Sequence, residues 1–269
     1  MKVNVAAIQM DCVLGSLEAN LKKSEVLLAQ AVERGAQWAV FPELFNTGYW
    51  VCERDMELAE RIPDGPTTQW MIEKAKQYGI LLSGCILEHG EAQGVVYDTA
   101  LTVNETGVLG TYHKVHLWDS ENARFANGSG CPKPIVFGDL KIGSQICYEI
   151  GFPELSRLQV LQGANVMIYP SAFGRARYYA WDIASRARAL ENGMFVIAVN
   201  RAGVDADTVF FGGHSRIVAP DGSVLAEAGM EDEVLVAELD LDLVAKNRRT
   251  IPYLRDLDLP LVKSAWERL

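Results

Sequence analysis

The chain opens on an unbroken apolar run, Val3 to Met10, of a length that suits a buried strand. The period then changes. From Ser16 to Gly35 the apolar residues Leu17, Leu21, Leu28 and Val32 fall on one side of a helix, with Ser16 suited to the N-cap and Gly35 to the stop. A short strand over Gln37 to Phe41 runs into Pro42. After an irregular stretch to Pro66 the pattern predicts a helix from Thr67 to Gln77 and the apolar strand Ile80 to Leu87. Two more strands follow, Val96 to Val103 and Val108 to Lys114, joined by a hairpin turn at Asn104 to Gly107. The order is β-α-β-α-β-β-β.

The second half repeats that order without repeating the sequence. It predicts strand Lys141 to Cys147, helix Pro153 to Gly163, strand Val166 to Tyr169, helix Arg177 to Gly193 and strand Phe195 to Asn200. Strand His214 to Ala219, a turn at Pro220 to Gly222 and strand Val234 to Leu239 complete it. Two sheets that each need helices on one face predict an α/β protein, a four-layer αββα sandwich. No Pro/Gly/Ser-rich linker and no charge run divides the chain, so residues 1–269 read as one domain. The stretch Asp242 to Leu269 is weakly periodic but holds Ile251, Tyr253, Leu254, Leu257, Leu259, Leu261 and Trp266. It is expected to dock as a tail, on its own domain or on a second subunit.

Composition narrows the function classes. With 49% hydrophobic and 22% charged residues the chain is no disordered segment, and its net charge of −10 argues against a nucleic-acid partner. The opening residues, broken by Asp11, do not read as a secretory leader, and no apolar run is long enough to span a bilayer. The five cysteines, Cys12, Cys52, Cys85, Cys131 and Cys147, are odd in number and contain no CxxC pair. Together these features predict a soluble cytoplasmic protein with reduced thiols.

Three residues with useful chemistry stand at strand ends, where open α/β sheets place their sites: Glu43 after Phe41-Pro42, Lys114 and Cys147. A carboxylate can take a thiol proton, the thiolate can attack an acyl carbon, and an ammonium can stabilise the oxyanion that forms. Spacing alone also allows a buried structural cysteine and two surface charges.

The local words are more specific. FPELFNTGY at 41–49, YHKVHLW at 112–118 and ICYEIGFPEL at 146–155 together resemble the nitrilase superfamily, the carbon–nitrogen hydrolases. The likeness runs over nearly the whole chain, including VAAIQMD near the start, AWDIASRARALENGMFVIAVNRAG at 180–203 and GHSRIVAPDGSVL at 213–225. It implies the same αββα fold, a homodimer or higher homo-oligomer, and hydrolysis without metal or organic cofactor. Position by position, Glu43 matches the general base, Lys114 the catalytic lysine and Cys147 the nucleophile. Glu121, in WDSENARFANG, fits a second glutamate of the family. The backbone N–H of Tyr148, next after the nucleophile, is the expected second oxyanion donor.

The family's nitrile-cleaving branches often carry Trp-Glu after the cysteine. Here Tyr148-Glu149 is more similar to the amidase and carbamoylase branches. The expected substrate is therefore a small aliphatic carboxamide, with N-carbamoyl compounds and nitriles as alternatives. Arg175 and Arg177 are candidates to grip a substrate carboxylate, or else solvated charges ahead of a helix. Tyr49, Trp118, Phe173 and Trp181 are candidates to wall the acyl pocket, or else core aromatics.

Three competing readings stay open. A Cys–His enzyme would pair Cys147 with His113, His116 or His214. A metal site on His113 and His116 is disfavoured, because on a strand residues three apart face opposite sides. An inactive relative serving as an assembly module would be expected to lack one of the Glu, Lys and Cys set, and all three are present. Arg186, Arg188 and Glu191 are expected to be structural ion-pair residues of their helix.

Overall fold

A computed structural model describes residues 1–130 and 132–268; Cys131 and Leu269 lie outside the described residues. The strands, in chain order, are β1 (Lys2–Gln9), β2 (Trp38–Val40), β3 (Leu81–His89), β4 (Val96–Asn104), β5 (Gly107–His113), β6 (Ile135–Phe137), β7 (Leu140–Ser144), β8 (Val166–Ser171), β9 (Phe195–Asn200), β10 (Val204–Asp205), β11 (Val209–Phe210), β12 (Arg216–Val218), β13 (Val224–Glu227) and β14 (Glu233–Asp240). The α-helices are α1 (Leu17–Glu33), α2 (Asp55–Leu58), α3 (Pro66–Tyr78), α4 (Pro153–Leu161), α5 (Tyr178–Asn192), α6 (Asp242–Thr250), α7 (Tyr253–Asp256) and α8 (Leu259–Trp266).

Two six-stranded sheets are built to one plan. One runs β14-β1-β2-β3-β4-β5 and the other β6-β7-β8-β9-β12-β13. Each has three central parallel strands, an antiparallel edge strand on one side and an antiparallel pair on the other. Side-chain alternation along each strand then separates the layers. Val3, Val5 and Ala7 of β1 meet Val166, Ile168, Phe195 and Ile197 of β8 and β9 in the core between the sheets. Ala6, Ile8 and Met10 point the other way, onto Leu27 and Leu28 of α1 and Met71 of α3. Met167, Tyr169, Val196 and Ala198 face Trp181 and Ala189 of α5 and Val160 of α4. The order of layers is therefore α, β, β, α, as expected.

The last strand departs from the expected arrangement. Val234 to Leu239 closes the second half in sequence, but β14 crosses to the first sheet and pairs antiparallel with β1 along its whole length, from Lys2↔Asp240 to Gln9↔Glu233. It occupies there the place that β6 takes beside β7. The tail is helical. Within it α6 docks: Val244 is buried, and Arg248 donates to the carbonyls of Ala164 and Asn192 at 2.8 and 3.2 Å. In α8, Leu259, Leu261, Val262 and Trp266 remain exposed. Among the described residues no helix is long and apolar enough to cross a membrane.

Candidate active site

Glu43, Lys114 and Cys147 come from three separate strand ends and meet at one end of the sandwich. Glu43 follows β2, and Lys114 is the first residue past β5. Gly128 presses on that strand end: its N–H donates to the Lys114 carbonyl at 2.7 Å, and a Cβ there would lie 2.2 Å from the His113 carbonyl oxygen. The close approach therefore needs glycine. Cys147 opens a 3₁₀ turn, Cys147–Gly151, as the third residue beyond β7, with φ at +49°. A left-handed non-glycine residue costs about 1–2 kcal/mol, a strain that the surrounding structure must hold.

Glu149 holds it. Its Oε2 accepts from Ile146 N–H at 2.8 Å while its own N–H donates to the Ile146 carbonyl at 3.0 Å, closing the turn on itself. The other oxygen reaches the strand that carries the lysine: Oε1 accepts from Tyr112 O–H at 2.7 Å, Val115 N–H at 2.9 Å and His116 N–H at 3.0 Å. One buried carboxylate thus ties the chain before Cys147 to the chain after Lys114.

Glu121 repeats the device. In the 3₁₀ turn Asp119–Ala123 its Oε2 accepts from Trp118 N–H at 2.7 Å and its N–H donates to the Trp118 carbonyl at 2.8 Å. Its Oε1 accepts from Lys114 Nζ at 2.8 Å and from Tyr49 O–H at 2.6 Å. Lys114 Nζ also donates to Glu43 Oε1 at 2.6 Å and to Asp98 Oδ2 at 3.2 Å. Glu43 Oε2 in turn accepts from the Ala172 N–H at 2.6 Å.

All four charged side chains are fully buried, and their charges act on one another at low dielectric. Burial alone would depress the lysine, but the three carboxylates around it hold the ammonium well above the usual lysine range. Burial pushes Glu43 up to about 8, with Lys114 pulling the other way and Asp98 adding to the rise. Burial, and next the Glu43 charge, push the Cys147 thiol well above the usual range. The three carboxylates lie close enough together to hold a cation. The Lys114 ammonium takes that position with all three N–H donors engaged, so the cluster does not suit a metal.

Cys147 opens onto a cavity of about 160 Å³, lined by Tyr49, Trp118, Tyr148, Ile150, Phe173 and Arg177 among others. That is below the usual range for drug-sized ligands and suits a short acyl chain. Arg177 stacks on Trp118, its guanidinium carbon 4.5 Å from the ring centroid. Arg175 does not join it; it is exposed and outside the cavity lining. Trp181 is a core residue behind Phe173, its indole N–H on the His214 carbonyl at 2.8 Å. Tyr49, Trp118, Phe173 and Arg177 are the candidates that the structure brings to the pocket.

The histidines are engaged elsewhere. His113 stacks on Tyr97 and bonds Glu88 at 2.8 Å, His116 stacks on Phe152, and His214 lies 3.2 Å from Glu227. None lines the cavity among the described residues, which leaves a Cys–His pair without its histidine. Arg188 and Glu191 do form an ion pair, while Arg186 bonds the Gly222 carbonyl. The structure adds two carboxylates whose contacts sequence reasoning missed. Asp98 sits inside β4, and Glu149 stood in the quoted motif without an assigned contact.

Comparison with known proteins finds likeness over nearly the whole chain. A family model described as carbon–nitrogen hydrolase matches residues 4–249. The chain is 35% identical over 253 residues to a protein of Pyrococcus abyssi named nitrilase, covering 91% of this chain and 93% of that one. It is 33% identical over 261 residues to the 2-oxoglutaramate amidase of Bacillus subtilis, covering 96% and 98%. Among solved structures, an amidase from Nesterenkonia sp. AN1 in complex with acrylamide superposes with a TM-score of 0.84 at 27% identity, covering 97% of this chain and 96% of that one.

Proposed function

The chain belongs to the carbon–nitrogen hydrolase family, and from that premise we propose that it hydrolyses the terminal amide of a short aliphatic carboxylate to ammonia and the free acid. The observation that carries this reading is Arg177. Its guanidinium has no carboxylate within ion-pair distance among the described residues, yet it lines a mainly apolar cavity together with Cys147. A substrate carboxylate satisfies that charge in a bidentate manner and leaves the far end of the acyl chain to the nucleophile. 2-Oxoglutaramate, the substrate named for the Bacillus subtilis relative, has this form: a carboxylate at one end and an amide at the other.

The reaction is ping-pong. Ionised Glu43 takes the Cys147 proton as sulfur attacks the amide carbon, and the oxyanion forms on the Tyr148 N–H in the field of the Lys114 positive charge. Glu43 then gives the proton to the departing nitrogen, the C–N bond breaks and ammonia leaves a thioester. Water, deprotonated by the same Glu43, attacks the thioester carbon. The carbon–sulfur bond breaks, and the thiolate recovers the proton as the acid departs. Glu121 supports the ammonium from its far side. In this reading no metal or cofactor takes part and the enzyme works in the reducing cytoplasm. It also works as a homo-oligomer, a view supported by apolar side chains left exposed on α5 and α8, such as Ile183 and Leu261.

The test is a matched panel of an ω-amide acid, a neutral aliphatic amide, an N-carbamoyl amino acid and a nitrile. Ammonia and carbon dioxide are both measured, since only the carbamoyl substrate yields the latter. The ω-amide acid is expected to be best, and Arg177→Ala to raise its KM by about 10- to 100-fold, as for loss of a charged hydrogen bond, with little change for the neutral amide. Equal losses on both substrates would remove the carboxylate reading.

A further inference from the structure

Asp98 is the third carboxylate on Lys114, and the reaction above gives it no step. It stands inside β4, opposite Leu87 of β3, and is fully buried. Its Oδ2 accepts from Lys114 Nζ at 3.2 Å and its Oδ1 from the Cys85 thiol at 2.8 Å. Glu43, Asp98 and Glu121 thereby gather three carboxyl groups within 4.8 Å of one another around a single ammonium. Like charges this close, shut away from water, resist being ionised together, so the cluster retains a proton that one cation cannot replace.

Among the described residues the groups facing Glu43 are few. Lys114 comes from the end of β5, Asp98 from β4, Glu121 from the turn after Trp118, Cys147 from its own turn, Tyr49 from the loop after β2 and Cys85 from β3. Glu121 already accepts three hydrogen bonds and Asp98 two. Resting on the roles proposed for Glu43 and Cys147, we propose that Asp98 is a positioning residue that sets the pH at which the site turns on: its charge keeps Glu43 protonated, and so unable to take the Cys147 proton, until the medium becomes alkaline. The directions agree, since burial and then the Asp98 charge both raise Glu43, to about 8, against the pull of Lys114.

The test is Asp98→Asn, which removes the charge and keeps the shape; the amide can turn its oxygen to Lys114 and its NH₂ to the Cys85 sulfur. Alkylation of Cys147 by iodoacetamide is followed from pH 5 to 10, with the labelled peptide identified by mass. In the variant the midpoint is expected to move at least one unit towards acid, making alkylation at pH 6 about tenfold faster. A folded variant with an unmoved midpoint, or one moved towards alkali, would overturn the proposal. A second measurement needs no Asp98 variant: the native protein should show a protonated-carboxyl infrared band that fades as pH passes about 8 and is missing from Glu43→Gln. Absence of that band at pH 6 overturns it too. Neither readout measures amide hydrolysis, so a wrong substrate class shows instead as an inactive panel with the alkylation shift intact.

Discussion

Lys114 Nζ donates to Glu43 Oε1 at 2.6 Å with neither side chain exposed, and the other Glu43 oxygen is fixed by the Ala172 N–H. The proposed base is held on both oxygens before any substrate arrives. This is the preorganisation that makes proton transfer efficient.

Removing either end of that transfer should separate chemistry from folding. Cys147→Ala is expected to abolish ammonia release while keeping the native melting profile. Glu43→Gln is expected to lower kcat by about 10²- to 10⁴-fold, the usual contribution of a positioned general base. Intact-mass analysis after mixing with substrate checks the route: an acyl adduct forms on the native protein and not on Cys147→Ala. Ordinary turnover by Cys147→Ala would eliminate the thioester mechanism.

The raised Glu43 carboxyl makes stability depend on pH with a definite sign. Its value is about 8 in the fold, against about 4.5 for a free glutamate. Between those limits the native state holds a proton that the unfolded chain has released, so this group's contribution to stability falls as pH rises from about 4.5 to about 8 and levels off above. Glu43→Gln has no such proton to hold. Melting curves at pH 5, 6.5 and 8 should show the variant gaining on the native protein at each step; parallel curves would refute the assignment.

Lys114→Ala tests the cation. It leaves three buried carboxyl groups without a positive partner, and breaking a buried ion pair from one side costs about 3–5 kcal/mol. The loss should appear in urea unfolding at pH 7. Activity should vanish, whereas His113→Ala and His116→Ala should stay active. The opposite pattern would restore a Cys–His reading.

Much of this architecture is legible in the sequence because burial imposes a period. Val3, Val5 and Ala7 alternate with Ala6 and Ile8 only because β1 is covered on both faces. The place of β14 is not legible, since one sequence does not say which free sheet edge a strand will reach. Ile135–Phe137 and Val224–Glu227 are too short to declare a period. Arg175 and Arg177 read alike in sequence, yet a 3₁₀ turn has three residues per turn, so positions two apart point in different directions and only Arg177 reaches the cavity. Trp181 was a fair candidate by neighbourhood, but on α5 the cavity-facing stripe is Ala180 and Ala184, and the next residue faces the core. Asp98 escaped notice because a lone acid inside an apolar strand carries no motif. Its signal was its position, a carboxylate among buried neighbours that requires a partner.

Glu149 supports the last prediction. It accepts hydrogen bonds from Ile146, Tyr112, Val115 and His116, so it fixes the left-handed Cys147 and the backbone beyond Lys114 relative to each other. Glu149→Gln replaces one acceptor oxygen with an NH₂ that faces a donor, which leaves at least one buried N–H or O–H unpaired, at about 1–3 kcal/mol. If the residue were only structural, the melting point would fall and the surviving folded enzyme would work normally. If it positions the nucleophile against the cation, kcat per folded molecule should also fall by about 10- to 100-fold with KM little changed, since misplacement of about 1 Å costs that much. Dividing kcat by the folded fraction read from a urea unfolding curve makes the comparison clean. An unchanged kcat on that basis would confine Glu149 to stability.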